Sequence, residues 1–343
     1  MLGMTLDEIR AETDTYNLPP FNAREIALWI NRRGANSFDE MTNISKKTRS
    51  ILSENYDIGK FPPAKVTVSS DGTKKYLYPT TSARYIETAY IPEKKRHTLC
   101  VSSQVGCKLG CLFCMTARQG YQGNLSSGEI INQIVSLPER EKITNIVFMG
   151  MGEPFDNTDE VLKALEILTA DYGLAISPKK ITVSTVGLIP GMKKFLEQSK
   201  CQLAISLHSP FDHERSTLMP VENVYPIKKV IEVIRQYPFE KQRRLSFEYI
   251  LFEGLNDSAA HVKELARLLN GLRCRINLMK YHTIPGTPLK ETRDSAVQKF
   301  REKLDNKGIT TTIRASRGED ILAACGLLST KSLIEENTIQ PDK

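Results

Sequence analysis

Apolar positions along the chain fall into two regimes. Up to about residue 60 they recur at helical spacing, with Leu6 and Ile9 followed by Phe21, Ile26, Ala27, Trp29 and Ile30, the intervals that gather side chains on one helix face. Asn22 is a candidate N-cap, and a further helix is expected over 45–55. Trp29 falls on the apolar face and reads as core rather than as a stacking platform. Phe61-Pro62-Pro63 closes this helical module. Strands are then expected over 65–69, 74–78 and 84–91, the first two joined by an Asp71-Gly72 turn.

From His97 the pattern becomes regular. Short β-rich runs at 98–103, 143–149, 180–185, 202–207, 245–251, 275–280 and 310–314 alternate with helical stretches over 126–136, 158–169, 192–198, 227–236, 258–270 and 294–306. Such alternation implies a parallel sheet with crossover helices. Both a doubly wound sheet and a partial barrel fit the pattern. The chain divides on this reading into a helical module (1–62), a β-rich connecting segment (63–96), an α/β domain (97–330) and a C-terminal tail (331–343).

The 343 residues are 40% apolar and a quarter charged, enough to build a full-sized core and too hydrophobic for wholesale disorder. No apolar run approaches the length of about 18 residues that a membrane helix needs. Met1-Leu2-Gly3-Met4 runs straight toward Asp7 and Glu8, so no signal peptide is readable and a cytoplasmic location is expected. The net charge of +7 is concentrated in clusters at Lys94-Lys95-Arg96-His97, Lys179-Lys180, Lys193-Lys194, Lys228-Lys229 and Lys241-Gln242-Arg243-Arg244. Each is a solvated face by default and a phosphate contact if the partner is RNA.

Seven cysteines change the picture. Their number is odd, and Cys100, Cys107, Cys111 and Cys114 fall within fifteen residues, which suits metal or redox chemistry better than a disulfide framework. Cys107, Cys111 and Cys114, spaced by three and then two residues, follow the first strand of the regular region. Three thiolates on such a loop can hold three corners of an iron–sulfur cube and leave the fourth iron open to a small molecule. Gly106 and Gly110 let the loop wrap. The competing reading is a zinc site completed by Cys100 or His97.

Several further residues end strands, the edge at which parallel sheets bind ligands. Gly152 and Glu153, in Met149-Gly-Met-Gly-Glu-Pro154, follow the second strand of the series, where backbone carbonyls and a carboxylate could hold an ammonium group. Ser184 ends the next strand, Ser206-Leu207-His208 the one after, and Tyr281-His282 a later one. Cys325, in Ala-Ala-Cys325-Gly326, is sterically open; its own surroundings leave both a reactive and a packing role available. Cys201 and Cys274 start strands at the opposite edge and read as packing residues.

Taken together, Thr98-Leu-Cys100-Val-Ser-Ser-Gln-Val-Gly-Cys107, the cysteine loop with its Phe113, Gly152-Glu-Pro154, Ser206-Leu-His208 and Ala-Ala-Cys325-Gly326 resemble the RlmN/Cfr family of radical S-adenosylmethionine (SAM) RNA methyltransferases. The resemblance spans about residues 5–328. It implies an α/β fold in which residues 97–330 form a partial (β/α)6 TIM-type barrel, preceded by the small helical RNA-binding domain and followed by a short C-terminal extension. It implies a 4Fe–4S cluster on Cys107, Cys111 and Cys114, with SAM held by Gly152, Glu153, Ser184, Ser206, Leu207, His208 and His282, the last standing where the family commonly has Asn. Two SAM molecules serve each turnover. One methylates Cys325; the other yields a deoxyadenosyl radical that activates that methyl group for addition to an adenine ring carbon. Cys100 then forms a disulfide with Cys325 that frees the product, and Glu87 corresponds to a family residue proposed as proton acceptor.

The implied substrates are an adenosine in 23S rRNA and one in a tRNA anticodon loop, methylated at C2, with C8 as the alternative. The implied partners are a flavodoxin- or ferredoxin-like one-electron reductant and a thiol reductant for the disulfide; no membrane is involved. A non-catalytic, zinc-stabilised RNA-binding protein is the rival of a different class. It would be colourless, whereas a cubane protein is brown and carries about four irons.

Overall fold

A computed structural model of the chain describes residues 1–239 and 243–330. Lys241 of the last basic cluster and the tail at 331–343 lie outside the described residues. The chain opens with α1 (Leu6–Thr15), α2 (Phe21–Leu28) and α3 (Lys46–Asn55). Thr5 and Glu8 form a reciprocal capping box on α1. Asn22 is not an N-cap: α2 starts behind Pro20, whose ring presets a helical φ, and Asn22 is fully buried inside the first turn. The helix widens into a π-type turn over Trp29–Arg33 and stops at left-handed Gly34. Trp29 is half-buried at the margin of the core, donating through Nε1 to Asn43 Oδ1 at 2.6 Å.

Next come β1 (Lys65–Val68), β2 (Lys74–Pro79), β3 (Tyr85–Pro92), β4 (His97–Val101) and the short β5 (Gln104–Val105). After the cysteine loop follow α4 (Met115–Gln119), β6 (Gly123–Asn124), α5 (Ser127–Val135), β7 (Asn145–Phe148), α6 (Thr158–Thr169), β8 (Ile181–Thr185), α7 (Ile189–Gln198) and β9 (Gln202–Ser206). The chain continues through α8 (Asp212–Leu218), α9 (Ile227–Arg235), β10 (Leu245–Leu251), α10 (Ala259–Leu268), β11 (Cys274–Lys280), α11 (Asp294–Asp305) and β12 (Thr311–Ile313).

Ten strands make one sheet in the order β1-β2-β3-β4-β7-β8-β9-β10-β11-β12. From β4 to β12 every pairing is parallel, and the order follows the chain without reversal. A doubly wound sheet must reverse at a switch point; this one never does, so it curls in a single direction. Alternate residues of successive strands, among them Cys100, Val147, Ser184, Ser206, Glu248, Asn277 and Thr312, line one cavity on the concave side. That is the partial barrel. Its pairing stops at β12, and β4 is extended instead by the antiparallel β3, β2 and β1. The connecting strands are thus continuous with the barrel sheet.

Crossover helices cover the convex face, with α5 against α6 and α6 against α7. The helical module packs outside them. Lys163 of α6 pairs with Glu8 at 2.6 Å, and Ser127 donates to the Gly3 carbonyl at 2.9 Å. Phe61 is hydrogen-bonded through both its amide and its carbonyl to the Asn132 side chain, so the proline-bearing connection is tied down. Among the described residues no helix is long and apolar enough to cross a membrane.

Candidate active site

The concave side encloses a cavity of about 590 Å³ at the C-terminal edge of the parallel strands. Cys107, Cys111 and Cys114 form part of its wall, on the loop between β5 and α4. Gly106 has φ +75°, and a Cβ there would lie 1.7 Å from the Gly120 carbonyl oxygen, so only glycine lets the loop pass. Burial pushes the Cys107 thiol up to about 12 and Cys111 well above its ordinary value, and the neighbouring cysteine charges act in the same direction. Such thiols stay protonated unless a metal takes them as thiolates.

Among the described residues no three His, Cys, Asp or Glu side chains converge as a single metal ion requires. Three thiolates on one loop suit a cube, in which each ligand takes its own iron. His97 is removed from the question altogether. It sits at the far, N-terminal end of β4, with Nδ1 2.6 Å from the Tyr90 hydroxyl. Cys100 lies close enough to Cys325 for the Cys325 charge to act on it.

The Gly152-Glu153 turn abuts the cysteine loop. Gly152 has φ +96°, and a Cβ there would stand 2.5 Å from Gln104 Cβ. Gln104 Oε1 in turn accepts the Glu153 amide at 2.8 Å. Glu153 is buried, and burial raises its carboxyl to about 7. Its two oxygens accept the amides of Phe155 and Val186, each at 3.0 Å. The carboxylate therefore ties the ends of β7 and β8 together at the cavity wall, where a cationic ammonium could share it.

Ser184, Ser206, His208 and His282 also line the cavity. Leu207 does not: its side chain is fully buried in the core, leaving only its backbone near the site. His208 has φ +54°, a conformation that costs a β-carbon residue energy and needs outside support. Asn256 supplies it, donating to the His208 carbonyl at 2.6 Å and to the Ile250 carbonyl at 2.7 Å. His208 Nδ1 accepts the Ile250 amide at 3.0 Å, which leaves the proton on Nε2. Burial, assisted by Arg215, lowers its imidazole to about 3, and Phe113 packs edge-on at 4.7 Å. His282, in place of the family's Asn, contacts Ser316 Oγ at 2.5 Å and Glu319 at 3.3 Å.

Cys100 and Cys325 share this cavity, although more than two hundred residues separate them. Cys100 is buried on β4. Cys325 is exposed toward the cavity from the loop that follows β12. Burial pushes Cys100 up to about 12. The surrounding protein of the cavity walls, which displaces water around the otherwise accessible Cys325 thiol, raises that thiol to about 11. The Cys325 charge raises Cys100 further, and the Arg314 guanidinium lowers both. The Cys325 loop sits directly on the cysteine loop, where the Met115 amide donates to the Gly326 carbonyl at 2.8 Å. Glu87 is absent from the cavity wall. Buried on β3, it pairs with Lys75 at 2.9 Å and accepts the Ser329 amide at 2.9 Å.

Three residues were missed by sequence reasoning. Arg215, fully buried on α8, pairs with buried Glu222 and donates to the carbonyls of Val186, Ser206 and Leu207. Glu248 projects from β10 into the cavity; Ser246 and Asn277 hold one of its oxygens, and Arg314 is 3.5 Å from the other. Asn256 is the third. Charged residues inside an apolar strand or after a Ser-Leu-His run were the available signals. Cys201 and Cys274 lie at the opposite strand ends, as expected. The basic pairs at 94–95 and 179–180 likewise precede β4 and β8, at the end away from the cysteine loop, while Lys194 and Lys228 pair with Asp159 and Asp212.

Comparison with known proteins agrees with this geometry. Residues 101–269 match the radical SAM superfamily model, which covers the cysteine loop and the strand ends at Gly152-Glu153, Ser184 and Ser206–His208. The fold and site therefore define a radical SAM enzyme, a class that works with a 4Fe–4S cluster and SAM. Residues 1–58 match the ribosomal RNA large subunit methyltransferase N-terminal domain. The chain is 54% identical over 337 residues to a probable dual-specificity RNA methyltransferase RlmN of Bacteroides thetaiotaomicron, covering 98% of each. It is 45% identical to the dual-specificity RNA methyltransferase RlmN of Syntrophus aciditrophicus, covering 97% of each. A solved radical SAM methyltransferase from Sphaerobacter thermophilus superposes with a TM-score of 0.89 at 39% identity, over 95% of this chain and 98% of that one. This chain belongs to the RlmN family of radical SAM RNA methyltransferases.

Proposed function

We propose that the enzyme methylates C2 of an adenosine in 23S rRNA and of an adenosine in tRNA, in the cytoplasm, through a methyl group carried on Cys325. The observation that supports this reading most directly is the meeting of Cys100 and Cys325 in the cavity walled by the three-cysteine loop. A simple SAM-dependent transferase needs neither thiol. An adenine ring carbon is a poor nucleophile toward a methyl cation donor, so a protein-borne one-carbon unit is a chemically sensible route.

Cys107, Cys111 and Cys114 would hold the cluster, which supplies one-electron cleavage of SAM. Gly152, Glu153, Ser184, Ser206, the backbone at Leu207, His208 and His282 line or border the space for SAM. The Cys325 thiolate would take a methyl group from one SAM. That methyl would give up one hydrogen atom to the radical supplied by cleavage of a second SAM, so that its carbon bonds to the adenine ring carbon as the ring releases its proton and one electron. The Cys100 thiolate would then attack the Cys325 sulfur; the sulfur–carbon bond breaks with its electron pair on the carbon, which takes up a proton to become the methyl group, and a disulfide remains. Each cycle then needs an external thiol reductant to restore both cysteines, besides a flavodoxin- or ferredoxin-like electron donor.

Nucleoside mass spectrometry of 23S rRNA and tRNA from a strain lacking the gene is the test. Loss of 2-methyladenosine, restored by the wild-type chain but not by Cys325→Ala, is the expected outcome. Loss of 8-methyladenosine instead would reassign the ring position. With Cys100→Ala a covalent protein–RNA adduct accumulates, and normal turnover of that variant would refute the disulfide step.

A further inference from the structure

The antiparallel extension β1–β3 takes no part in the chemistry above, yet it touches the Cys325 loop at both ends. On the N-terminal side, Asp320 accepts from Ser69 Oγ at 2.6 Å and from the Ser70 amide at 3.0 Å. Asp71, in the same β1–β2 turn, accepts the Gly318 amide at 3.0 Å. On the C-terminal side, Lys75 of β2 holds Glu87 of β3, and Glu87 accepts the Ser329 amide. Helix α4 supplies the matching contacts from the cysteine loop: Thr116 donates to the Leu328 carbonyl at 2.7 Å, and Gln119 Oε1 accepts from Ser329 Oγ and the Thr330 amide.

Between these anchors the loop has little regular structure. Gly318, Leu322 and Gly326 all adopt left-handed backbone, and Leu322 does so with an exposed side chain. Such a segment cannot hold its own shape and takes it from outside contacts. The anchors fall on residues 318, 320, 326, 328, 329 and 330, whereas Cys325 itself is left facing the cavity.

We infer that the β1–β3 extension is a clamp that positions the Cys325 loop, and that Glu87 is a positioning residue acting through Ser329. Both Glu87 oxygens are engaged, one by Lys75 and one by the Ser329 amide, and the side chain is buried away from the cavity wall. An acceptor of a substrate proton needs reach to the substrate; a clamp needs the contacts Glu87 makes. The inference rests on the reading of Cys325 as methyl carrier.

The test uses full-length holoenzyme with SAM and reductant but no RNA. Cys325 methylation is followed by intact-protein mass spectrometry, and amide exchange is followed over residues 318–330. Loss of a hydrogen bond to a charged acceptor should speed exchange of the freed segment about tenfold. Glu87→Ala should do this at 326–330 and slow Cys325 methylation by a similar factor. Glu87→Gln, which keeps an acceptor for Ser329, should recover most of both. Asp320→Ala, at an exposed position that will not disturb folding, should loosen 318–322 and also slow methylation. Normal exchange and normal Cys325 methylation in Glu87→Ala, with only RNA methylation lost, is the signature of an acid–base group and overturns the clamp. So does a Gln variant as defective as Ala. If wild-type Cys325 gains no methyl group, the carrier reading fails, and the exchange measurements still decide the clamp.

Discussion

Glu222→Ala offers the sharpest energetic test of how the site is built. Arg215 is fully buried and Glu222 nearly so, and burial already pulls the Arg215 guanidinium below its ordinary value against the opposing pull of Glu222. Removing the carboxylate strands a buried cation, at a cost of about 3–5 kcal/mol. The same carboxylate accepts the Ile227 amide at the start of α9, at 3.1 and 3.0 Å from its two oxygens. Losing that bond adds about 1 kcal/mol. Glu222→Gln keeps an acceptor for both partners and forfeits only the charge, so its cost should be about half as large. Equilibrium urea unfolding measures the series, and the Ala variant should lower the midpoint by about 1 M or more if m is near 3 kcal/mol/M. Arg215 also carries the carbonyls of Val186, Ser206 and Leu207, so SAM affinity should fall in parallel. Equal destabilisation by Ala and Gln, or a loss under about 1 kcal/mol for Ala, would refute the charge argument.

Two further outcomes are expected. Gly152→Ala meets Gln104 Cβ at 2.5 Å with φ +96°, so overpacking and backbone strain together should cost about 2–5 kcal/mol; a thermal melt checks this, and an unshifted melt would show that the turn relaxes freely. His208, neutral in the fold with its pKa lowered from 6.5 to about 3, binds its proton more readily in the unfolded chain. Its stabilising contribution is therefore present above pH 6.5 and is lost as pH falls toward 3. Urea midpoints measured from pH 8 to pH 5 should fall less steeply in His208→Gln than in the wild type, and parallel curves would contradict the assignment.

Much of this architecture was legible from residues alone, because the signals were local. The spacing of Cys107, Cys111 and Cys114 is a property of eight positions, and the alternation of strands and helices is one of short windows. What escaped was the product of tertiary contact. Asn22 looked like an N-cap since Asn caps helices in general, but Pro20 starts α2 earlier and the Asn side chain goes inside. Arg215 follows Ser-Leu-His by only a few residues, yet nothing short of the fold shows that three carbonyls converge on it. Glu87 matched a family position by sequence; its actual neighbours, Lys75 and Ser329, lie on another strand and on a loop more than two hundred residues away.

The sheet explains how such remote pieces come to work together. Among the described residues β4 is the one strand with a parallel neighbour on one side and an antiparallel neighbour on the other, β7 and β3 respectively. Cys100 lies on it, opposite Ala89 of β3 and Val147 of β7. Barrel residues therefore approach Cys100 from one side, while the extension carrying Glu87 is locked in register on the other, two residues from the Cys100 pairing. Because a strand register cannot slip by one without turning every side chain to the opposite face, the position of Cys100 and that of Glu87 are set together. A loop anchored to Glu87 is thereby indexed to Cys100. The antiparallel strands thus serve to convert a sheet register into the placement of one thiol against another.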